Sequence, residues 1–338
     1  MTAYTSIEEI AYVLPPHVVT SQDIEEKLSV AVERLGVECG YLQALTGIQE
    51  RRLWDPGVAP SDAATLAAEK LLQETGIERE KIGCVINTSV CRDYIDPSVA
   101  CLVHGNLGLP STCLNFDISN ACLGFVNGIN VIDNMMRTNQ IKYALIVNGE
   151  SSRDSLEHTV RMLTGPDASP DMLRQNFATL TLGSGAVAML LAHRDVAKKG
   201  RFVNGAVNRA DTRHNRLCLG QMNQMKSDPQ LLLKAGVELC IKTWHVACRE
   251  IEGWSAEELS LYAPHQVSIK HTQTLCDAVG IDMDKVYLSI QTTGNVGPAG
   301  VPISVKMAEE DGRLNPGDQL ALLGVGSGLN CMMMNIGW

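Results

Sequence analysis

Short apolar runs alternate along the chain with longer amphipathic segments. The apolar runs predict strands at Ile82–Val90, Leu114–Ile118, Tyr143–Val147, Ala186–Ala192, Leu259–Tyr262, Val286–Ile290, Gln319–Leu323 and Leu329–Ile336. The amphipathic segments predict helices at Pro60–Glu74, Phe125–Arg137, Pro229–Glu252, Ser268–Val279 and Val301–Asp311. Strands that alternate with helices indicate an α/β protein whose mainly parallel sheet is covered by helices on both faces.

The order of elements in residues 1–195 is echoed in residues 196–338. Cys122 and Asn295 each follow the second strand run of their half and precede a helix, and His265 follows the first run of the second half. Ligand sites of α/β sheets form at the carboxyl ends of strands, so two similar halves would bring these three residues to one crevice. Chance similarity of two α/β halves is the alternative that the pattern alone leaves open.

Composition narrows the class of protein. The chain has 338 residues, enough for one large domain or two fused halves. Its formal net charge of −10 disfavours a general role in binding nucleic acid or anionic membranes. No apolar run reaches the roughly 18 residues of a membrane span. The first residues lack a basic region and an apolar signal core, which favours a cytoplasmic location.

The cysteines predict neither a metal site nor a disulfide framework. There are 11 of them, an odd number in a chain without a recognisable secretion signal, and no Cys-x-x-Cys pair occurs. Most lie in apolar runs, as Cys84, Cys240 and Cys331 do, and are expected to be small core residues.

One basic segment interrupts this acidic chain. Residues Lys198–Lys226, which join the two halves, contain seven lysines and arginines and a single acid, Asp211. This local charge could attract an anionic carrier such as a nucleotide phosphate. The preferred interpretation is a solvated connecting face.

Cys122 is the candidate nucleophile. It lies in Phe116-Asp-Ile-Ser-Asn-Ala-Cys-Leu-Gly-Phe125, where a predicted strand leads into a predicted helix. Free N–H groups and the positive end of the helix dipole are expected to stabilise its thiolate and lower its pKa. A thiolate can attack an acyl group. A buried structural thiol is the alternative for Cys122 taken alone.

Two further polar residues follow predicted strands. His265, in Tyr262-Ala-Pro-His-Gln266, could accept the thiol proton or donate to a thioester carbonyl. Asn295, between Gly294 and Gly297, could donate to an enolate or oxyanion without titrating. In isolation each also fits a packed histidine or a turn asparagine.

A glycine-rich bend, Gly324-Val-Gly-Ser-Gly328, lies between the last two predicted strands. Its backbone N–H groups, that of Ser327 in particular, could form an oxyanion hole together with the N–H of Cys122. A strand bend without a ligand is the alternative. No helix follows the bend, so a phosphate-binding loop of the dinucleotide type is disfavoured.

Together these motifs resemble the ketoacyl synthase III branch of the thiolase superfamily over the whole chain. Within that branch the chain is most similar to the condensing enzymes of bacterial olefin biosynthesis. The motifs that carry the resemblance are Thr46-Gly-Ile-Gln-Glu-Arg-Arg52, Arg52-Leu-Trp-Asp55, Ile86-Asn-Thr-Ser-Val90, Arg92-Asp-Tyr94, Asn120-Ala-Cys-Leu123 and Leu322-Leu-Gly-Val-Gly-Ser-Gly-Leu-Asn-Cys331. Initiating synthases of this branch usually carry an arginine where this chain has Leu45, which puts their mode of coenzyme A adenine binding in doubt.

The resemblance implies a five-layered αβαβα thiolase fold and a homodimer. It also implies a condensation of two acyl-CoA thioesters without decarboxylation, in which Cys122 is acylated and His265 and Asn295 support the reaction. Coenzyme A would be a co-substrate, and no cofactor or metal is expected. The related enzymes take the α proton with a glutamate that reaches across the dimer interface. The matching residue here is Asp96, one methylene shorter, and a turn carboxylate before Pro97 is its alternative interpretation.

Two other functions remain open from the sequence. A decarboxylating synthase that uses malonyl-ACP would employ His265 and Asn295 equally well, because both stabilise an enolate. A catalytically silent partner subunit of a ketosynthase pair is the non-enzymatic alternative. The intact Cys122 disfavours it, since such partners usually lose the nucleophile.

Overall fold

The computed structural model describes residues 3–38, 40–221 and 224–338. Its strands are β1 Thr5–Val13, β2 His17–Thr20, β3 Glu50–Leu53, β4 Cys84–Asn87, β5 Leu114–Asp117, β6 Tyr143–Glu150, β7 Gly185–His193, β8 Phe202–Ala210, β9 Cys218–Gly220, β10 Met225–Ser227, β11 Leu261–Pro264, β12 Gln319–Gly326 and β13 Asn330–Gly337. Its α-helices are α1 Ser21–Leu28, α2 Val32–Leu35, α3 Tyr41–Thr46, α4 Pro60–Thr75, α5 Val99–Asn106, α6 Gly124–Arg137, α7 Arg153–Thr164, α8 Pro170–Asn176, α9 Pro229–Glu250, α10 Ile269–Val279, α11 Ile290–Thr293 and α12 Gly300–Glu310.

The main sheet consists of two parts with the same pairing pattern. In the first, β1 and β7 are antiparallel, β7 and β6 are antiparallel, and β6, β4 and β5 are parallel. In the second, β8 and β13 are antiparallel, β13 and β12 are antiparallel, and β12 and β11 are parallel. The two parts meet between β1 and β8, where Ser6 pairs with Phe202 and the Ile7 N–H donates to the Arg201 carbonyl at 2.9 Å. Strands β4 and β11 therefore occupy equivalent places in the two parts, and β5 extends the first part by one further strand.

Helices separate and cover the two parts of the sheet. One buried cluster contains α6 and α12 together with strands of both parts, so these two helices form a layer between them. Helices α4 and α5 cover the outer face of the first part, and α9 and α10 cover that of the second. The order helix, sheet, helix, sheet, helix follows from these three clusters. The two inner helices both begin just after a candidate site residue.

The inner helix α6 follows from its sequence period. Phe125, Ile129, Ile132 and Met136 recur on one face, and all four are buried. Burying one such side chain stabilises the fold by roughly 1.5–3 kcal/mol relative to leaving it exposed. The stripe therefore fixes the start of the helix, and with it Cys122, against the sheet.

Three expectations about this architecture are wrong. The main sheet is not mainly parallel: among its described strands only the pairs β4–β5, β4–β6 and β11–β12 are parallel. Val286–Ile290 does not form a strand: Val286 makes one parallel bridge to Tyr262, and the chain then enters α11. The basic segment is not only a solvated connection, because Phe202–Ala210 forms β8 between β13 and β1. None of the helices in the described ranges is long and apolar enough to span a membrane.

Candidate active site

Cys122 occupies a tight turn between β5 and α6. The N–H of Leu123 donates to the Asn120 carbonyl at 3.0 Å, and that of Gly124 to the Ala121 carbonyl at 3.1 Å. Ala121 has a φ of 46°, which costs a non-glycine residue on the order of 1–3 kcal/mol. The surrounding contacts must hold this conformation, and they present Cys122 at the amino end of the helix.

The glycine-rich bend packs directly on this turn. A Cβ on Gly326 would lie 3.0 Å from the Asn120 carbonyl oxygen and 3.3 Å from the Leu123 nitrogen. A Cβ on Gly324 would lie 2.3 Å from a methyl carbon of Leu123. A larger residue at either position would have to displace Leu123 or the backbone of the Cys122 turn. Ser327 is the next residue after Gly326, and its role in an oxyanion hole stays a prediction.

His265 follows β11 and faces the same bend. Its N–H donates to the Leu323 carbonyl at 2.8 Å, one residue before Gly324. The next side chain, Gln266, accepts from the N–H groups of Ser289 and Ile290 and donates to the Tyr287 carbonyl. These bonds fix the backbone of His265, and its side chain is 6% exposed.

Backbone hydrogen bonds to Thr181 and Gly183 fix the position of Asn295. Its N–H donates to the Thr181 carbonyl, and its carbonyl accepts from Gly183, both at 2.9 Å. A Cβ on Gly183 would lie 2.0 Å from the Thr293 carbonyl oxygen, so this pairing depends on glycine. The side-chain oxygen of Asn295 accepts from the Gly297 N–H at 3.0 Å. The amide NH₂ is thus the group left to donate to a substrate.

A buried carboxylate connects these pieces. Glu150, the last residue of β6, lies next to Gly297, whose added Cβ would be 3.6 Å from the carboxyl carbon. Glu150 also interacts electrostatically with the Cys122 thiol, and the Gly297 backbone interacts with His265. Cys122, His265 and Asn295 are therefore assembled around shared neighbours at one place.

The electrostatics reverse one expectation. Burial, with smaller contributions from Cys218 and Glu150, raises the pKa of the Cys122 thiol to about 12. The prediction of a lowered pKa is wrong, because loss of hydration outweighs the helix terminus. Burial and the neighbouring His271 lower the pKa of His265 to about 4. At neutral pH the site holds a thiol and a neutral imidazole, which can accept the thiol proton during attack.

Asp96 lies apart from this interior group. It is exposed, and it forms no hydrogen bond or ion pair with another residue in the described ranges. Its neighbour Ile95 is 96% exposed and Tyr94 61% exposed. The carboxylate therefore ends an apolar, solvent-facing tip rather than lining its own chain's pocket.

The predicted absence of a metal can be compared with the side chains present. In the described part of the chain, no group of three or more histidine, cysteine, aspartate or glutamate side chains is arranged to hold a metal ion.

Sequence reasoning missed Glu150 and two thiols. Cys91 donates to the Ser151 carbonyl at 3.3 Å and lies beside Glu150, while Cys218 interacts with Ser327 and with Cys122. Glu150 comes just after the predicted strand Tyr143–Val147, so the rule that selected His265 and Asn295 would have selected it as well. Cys91 directly follows the predicted strand Ile82–Val90 and gives the same signal, whereas Cys218 gives none.

Comparison with known proteins agrees with this geometry. The family model of 3-oxoacyl-[acyl-carrier-protein] synthase III matches residues 116–210, and its C-terminal model matches residues 250–338. An acyl-CoA:acyl-CoA alkyltransferase of Xanthomonas campestris is 44% identical over 98% of each chain. One of Shewanella oneidensis is 38% identical, again over 98% of each chain.

Solved structures give the same result. OleA of Xanthomonas campestris with bound lauric acid and lauroyl-CoA, carrying a serine in place of a cysteine, matches with a TM-score of 0.96 and 44% identity over 99% of each chain. The cerulenin-bound OleA matches with the same score over 99% of this chain and 97% of the other. The expected thiolase fold is confirmed. The chain belongs to the ketoacyl synthase III branch of the thiolase superfamily and, within it, to the family of the acyl-CoA:acyl-CoA alkyltransferases.

Proposed function

We propose that this enzyme condenses two fatty acyl-CoA thioesters head to head, without decarboxylation, through an acyl-Cys122 intermediate. The observation that carries the proposal is the assembly of Cys122, His265 and Asn295 on the connections that follow β5, β11 and α11, in the two halves of the chain. Whole-length similarity to acyl-CoA:acyl-CoA alkyltransferases, one of them solved with lauroyl-CoA, supports the substrate class. Coenzyme A is then a co-substrate, and the reaction needs no further cofactor.

In the first half-reaction, His265 takes the proton of Cys122 as the sulfur attacks the thioester carbonyl of one acyl-CoA. The N–H groups of Cys122 and Ser327 receive the developing oxyanion. The carbon–sulfur bond to coenzyme A breaks, and the imidazolium returns its proton to the leaving thiolate. Because the resting thiol is neutral, proton transfer and attack are coupled, and this protects the cysteine from other electrophiles.

In the second half-reaction, Asp96 removes an α proton from a second acyl-CoA. His265 and Asn295 donate hydrogen bonds to the enolate oxygen, with His265 protonated at that ring nitrogen. The α carbon attacks the acyl-Cys122 carbonyl, and the carbon–sulfur bond to Cys122 breaks. The departing sulfur takes up a proton from solvent and Asp96 releases its proton to solvent, which restores the resting thiol and carboxylate. The product is a 2-alkyl-3-oxoacyl-CoA, or its acid after hydrolysis.

We further propose that the enzyme is a homodimer in which Asp96 serves the site of the other protomer. Strand β5 lies at the edge of the main sheet, where Leu114 is 51% exposed. The tip with Tyr94 and Ile95 lies in the segment between β4 and α5 that leads to this edge. An open edge strand and an apolar tip on one side favour pairing with a second copy. The homologous halves 1–195 and 196–338 would each contribute to one site.

Mass spectrometry of purified protein tests the reaction. With acyl-CoA alone we expect acylated Cys122 and then a 2-alkyl-3-oxoacyl product, with no release of carbon dioxide. A product that forms only when malonyl-ACP is added would contradict this proposal and favour the decarboxylating synthase. Absence of any acyl-Cys122 with either substrate would favour the silent partner subunit.

A further inference from the structure

Glu150 is a buried carboxylate that the proposed reaction does not use. Glu150 is the last residue of β6, where it pairs with Gly185 of β7, and it is 5% exposed. The indole N–H of Trp54 donates to its carbonyl oxygen at 3.0 Å. The preceding Gly149 lies so close to α4 that a Cβ there would be 2.1 Å from the Pro60 carbonyl oxygen. Its backbone is therefore held from both sides.

The carboxylate itself bonds to the start of the segment that carries Asp96. One oxygen accepts from the Val90 N–H at 2.7 Å, and the other accepts from the Cys91 N–H at 3.2 Å. On its opposite side lies Gly297, two residues after Asn295. Glu150 thus contacts both the interior site and the base of the exposed tip.

Burying this carboxylate opposes its ionisation. Burial raises the pKa of Glu150 to about 7, although the Cys91 thiol and the two N–H groups favour the ionised form. A neutral side chain of similar size would avoid this unfavourable desolvation. A carboxylate at this position is thus poorly explained by packing alone, which points to a role for its two acceptor oxygens.

The rest of the segment is anchored on its outer side. The N–H and hydroxyl of Ser61 donate to Asp93, the hydroxyl at 2.8 Å. Arg92 forms an ion pair with Asp117 at 3.1 Å, and Asp117 also accepts from the first N–H groups of α5. These anchors fix the segment to α4 and β5. On its inner side the segment is joined to the end of β6 by the two bonds that Glu150 accepts and by the bond from the Cys91 thiol to the Ser151 carbonyl. Of these, the bonds to Glu150 involve a side chain that also lies beside Gly297.

We propose that Glu150 is a positioning residue for the second half-reaction. It fixes the position and orientation of the Val90–Ser98 segment, and thereby those of the Asp96 carboxylate. This inference rests on the proposed role of Asp96 as the α-proton base. Glu150 touches no substrate in this scheme. Acylation of Cys122 does not need the segment, since Cys122, His265 and Asn295 are held by other bonds. Carbon–carbon bond formation does need it, because a base displaced by about 1 Å can lose 10²-fold in rate.

The test is Glu150→Gln, which keeps the size of the side chain but replaces one acceptor by an NH₂ group facing an N–H donor. With long-chain acyl-CoA alone, the rates of Cys122 acylation and of condensation are measured separately by quenched mass spectrometry. We expect acylation within about threefold of wild type and condensation lowered roughly 10-fold to 10²-fold, so that acyl-enzyme accumulates.

Glu25→Gln is the matched control. Glu25, on α1, is 7% exposed and accepts from the N–H groups of Gly40 at 2.6 Å and Leu42 at 2.7 Å. It thus resembles Glu150 in burial and bonding, but it lies outside the site. Both rates are divided by the fraction of protein that can be acylated, which corrects for any loss of folded protein. Because Glu25 lies outside the site, Glu25→Gln should leave the ratio of the acylation and condensation rates unchanged.

Several outcomes would overturn the inference: normal condensation in Glu150→Gln, a parallel fall of both rates, or the same altered ratio in Glu25→Gln. If Glu150→Gln does not fold, Glu150→Asp, which retracts the carboxylate by one carbon, is judged by the same ratio. Failure of both to fold would show a purely structural role. A wild-type protein that never acylates Cys122 would instead contradict the proposed function. Failure of the proposed function can therefore be distinguished from failure of the inference about Glu150.

Discussion

The interior of the site and the Asp96 tip are built in opposite ways. Cys122, His265 and Asn295 lie on turns whose backbones are hydrogen-bonded or packed so tightly that glycine is required beside them. Asp96 lies at an exposed tip beside Ile95, which is 96% exposed. Under the proposed mechanism, the groups that form the acyl-enzyme lie in the interior of one chain, whereas the proposed base of the second step lies outside it. The two half-reactions should therefore respond separately to mutation.

The largest effect is expected for Cys122→Ala. Alanine is small enough for the turn and keeps the backbone N–H, so the fold should persist while acylation and condensation are both abolished. Intact-mass measurement after incubation with acyl-CoA, with circular dichroism as the folding control, checks this. Condensation at a near-native rate in the variant would remove the basis of the mechanism.

Asp96→Asn should separate the two half-reactions. The amide matches the carboxylate in shape but cannot accept a proton from carbon, so acyl-Cys122 should form normally while carbon–carbon bond formation stops. Asp96→Glu should retain or raise activity, since related enzymes use glutamate. The measurement is product formation set against acyl-enzyme. Unchanged condensation in Asp96→Asn would exclude the base and favour a decarboxylating reaction, which makes its enolate by losing carbon dioxide.

The sequence predicted the interior better than its surroundings. Strands β6, β7 and β12 and helices α4 and α6 were found because their buried faces have uniform apolar patterns. The sequence predicts a connection in place of strand β8 because its exposed positions, such as Asn204 and Arg209, are polar. The strand predicted at Val286–Ile290 does not form because only Val286 pairs with a neighbouring strand, through Tyr262, and the apolar run does not reveal this limited pairing. The raised pKa of Cys122 was missed because desolvation depends on residues distant in sequence, whereas the helix terminus is local.

Replacing His265 or Asn295 by alanine should lower turnover roughly 10²-fold to 10³-fold, the range for losing one oxyanion donor. The double variant should lose less than the product of the two factors, because both side chains act on one transition state. Steady-state kinetics of the single and double variants gives the comparison. Simple multiplication of the two effects would show that they serve separate steps.

Stability should fall in acid because of two histidines. Burial lowers the pKa of His265 and of His271 to about 4 from an ordinary value near 6.5. Each favours the fold fully above pH 6.5, and this contribution is lost as pH falls towards 4. Glu150, with a raised pKa, acts oppositely: its contribution is lost as pH rises from about 4.5 to 7.

His271→Gln should therefore reduce the loss of unfolding free energy between pH 6.5 and 4 by up to on the order of 3 kcal/mol. Denaturant unfolding of wild type and variant across this range measures the difference. Parallel curves would show that His271 titrates normally in the folded protein. Above pH 6.5 the two curves should be parallel in any case, since neither protein then changes its protonation at this position.

The smallest effect is expected for Ile95→Asp, which should raise the dissociation constant of the proposed dimer about tenfold. A charge on this apolar tip should weaken self-association and pull Asp96 away from the neighbouring site, while the interior of each protomer stays intact. Analytical ultracentrifugation should show a dissociation constant raised at least about tenfold. Condensation should fall at low protein concentration and recover at high concentration, with acylation of Cys122 unchanged throughout. Leu66→Asp is the control, at an apolar residue on α4 that is 51% exposed, and it should alter neither property. A monomeric Ile95→Asp variant that condenses at the wild-type rate would show that each chain supplies its own base. The exposed tip would then have to move to reach the interior of its own chain, and no second protomer would be needed.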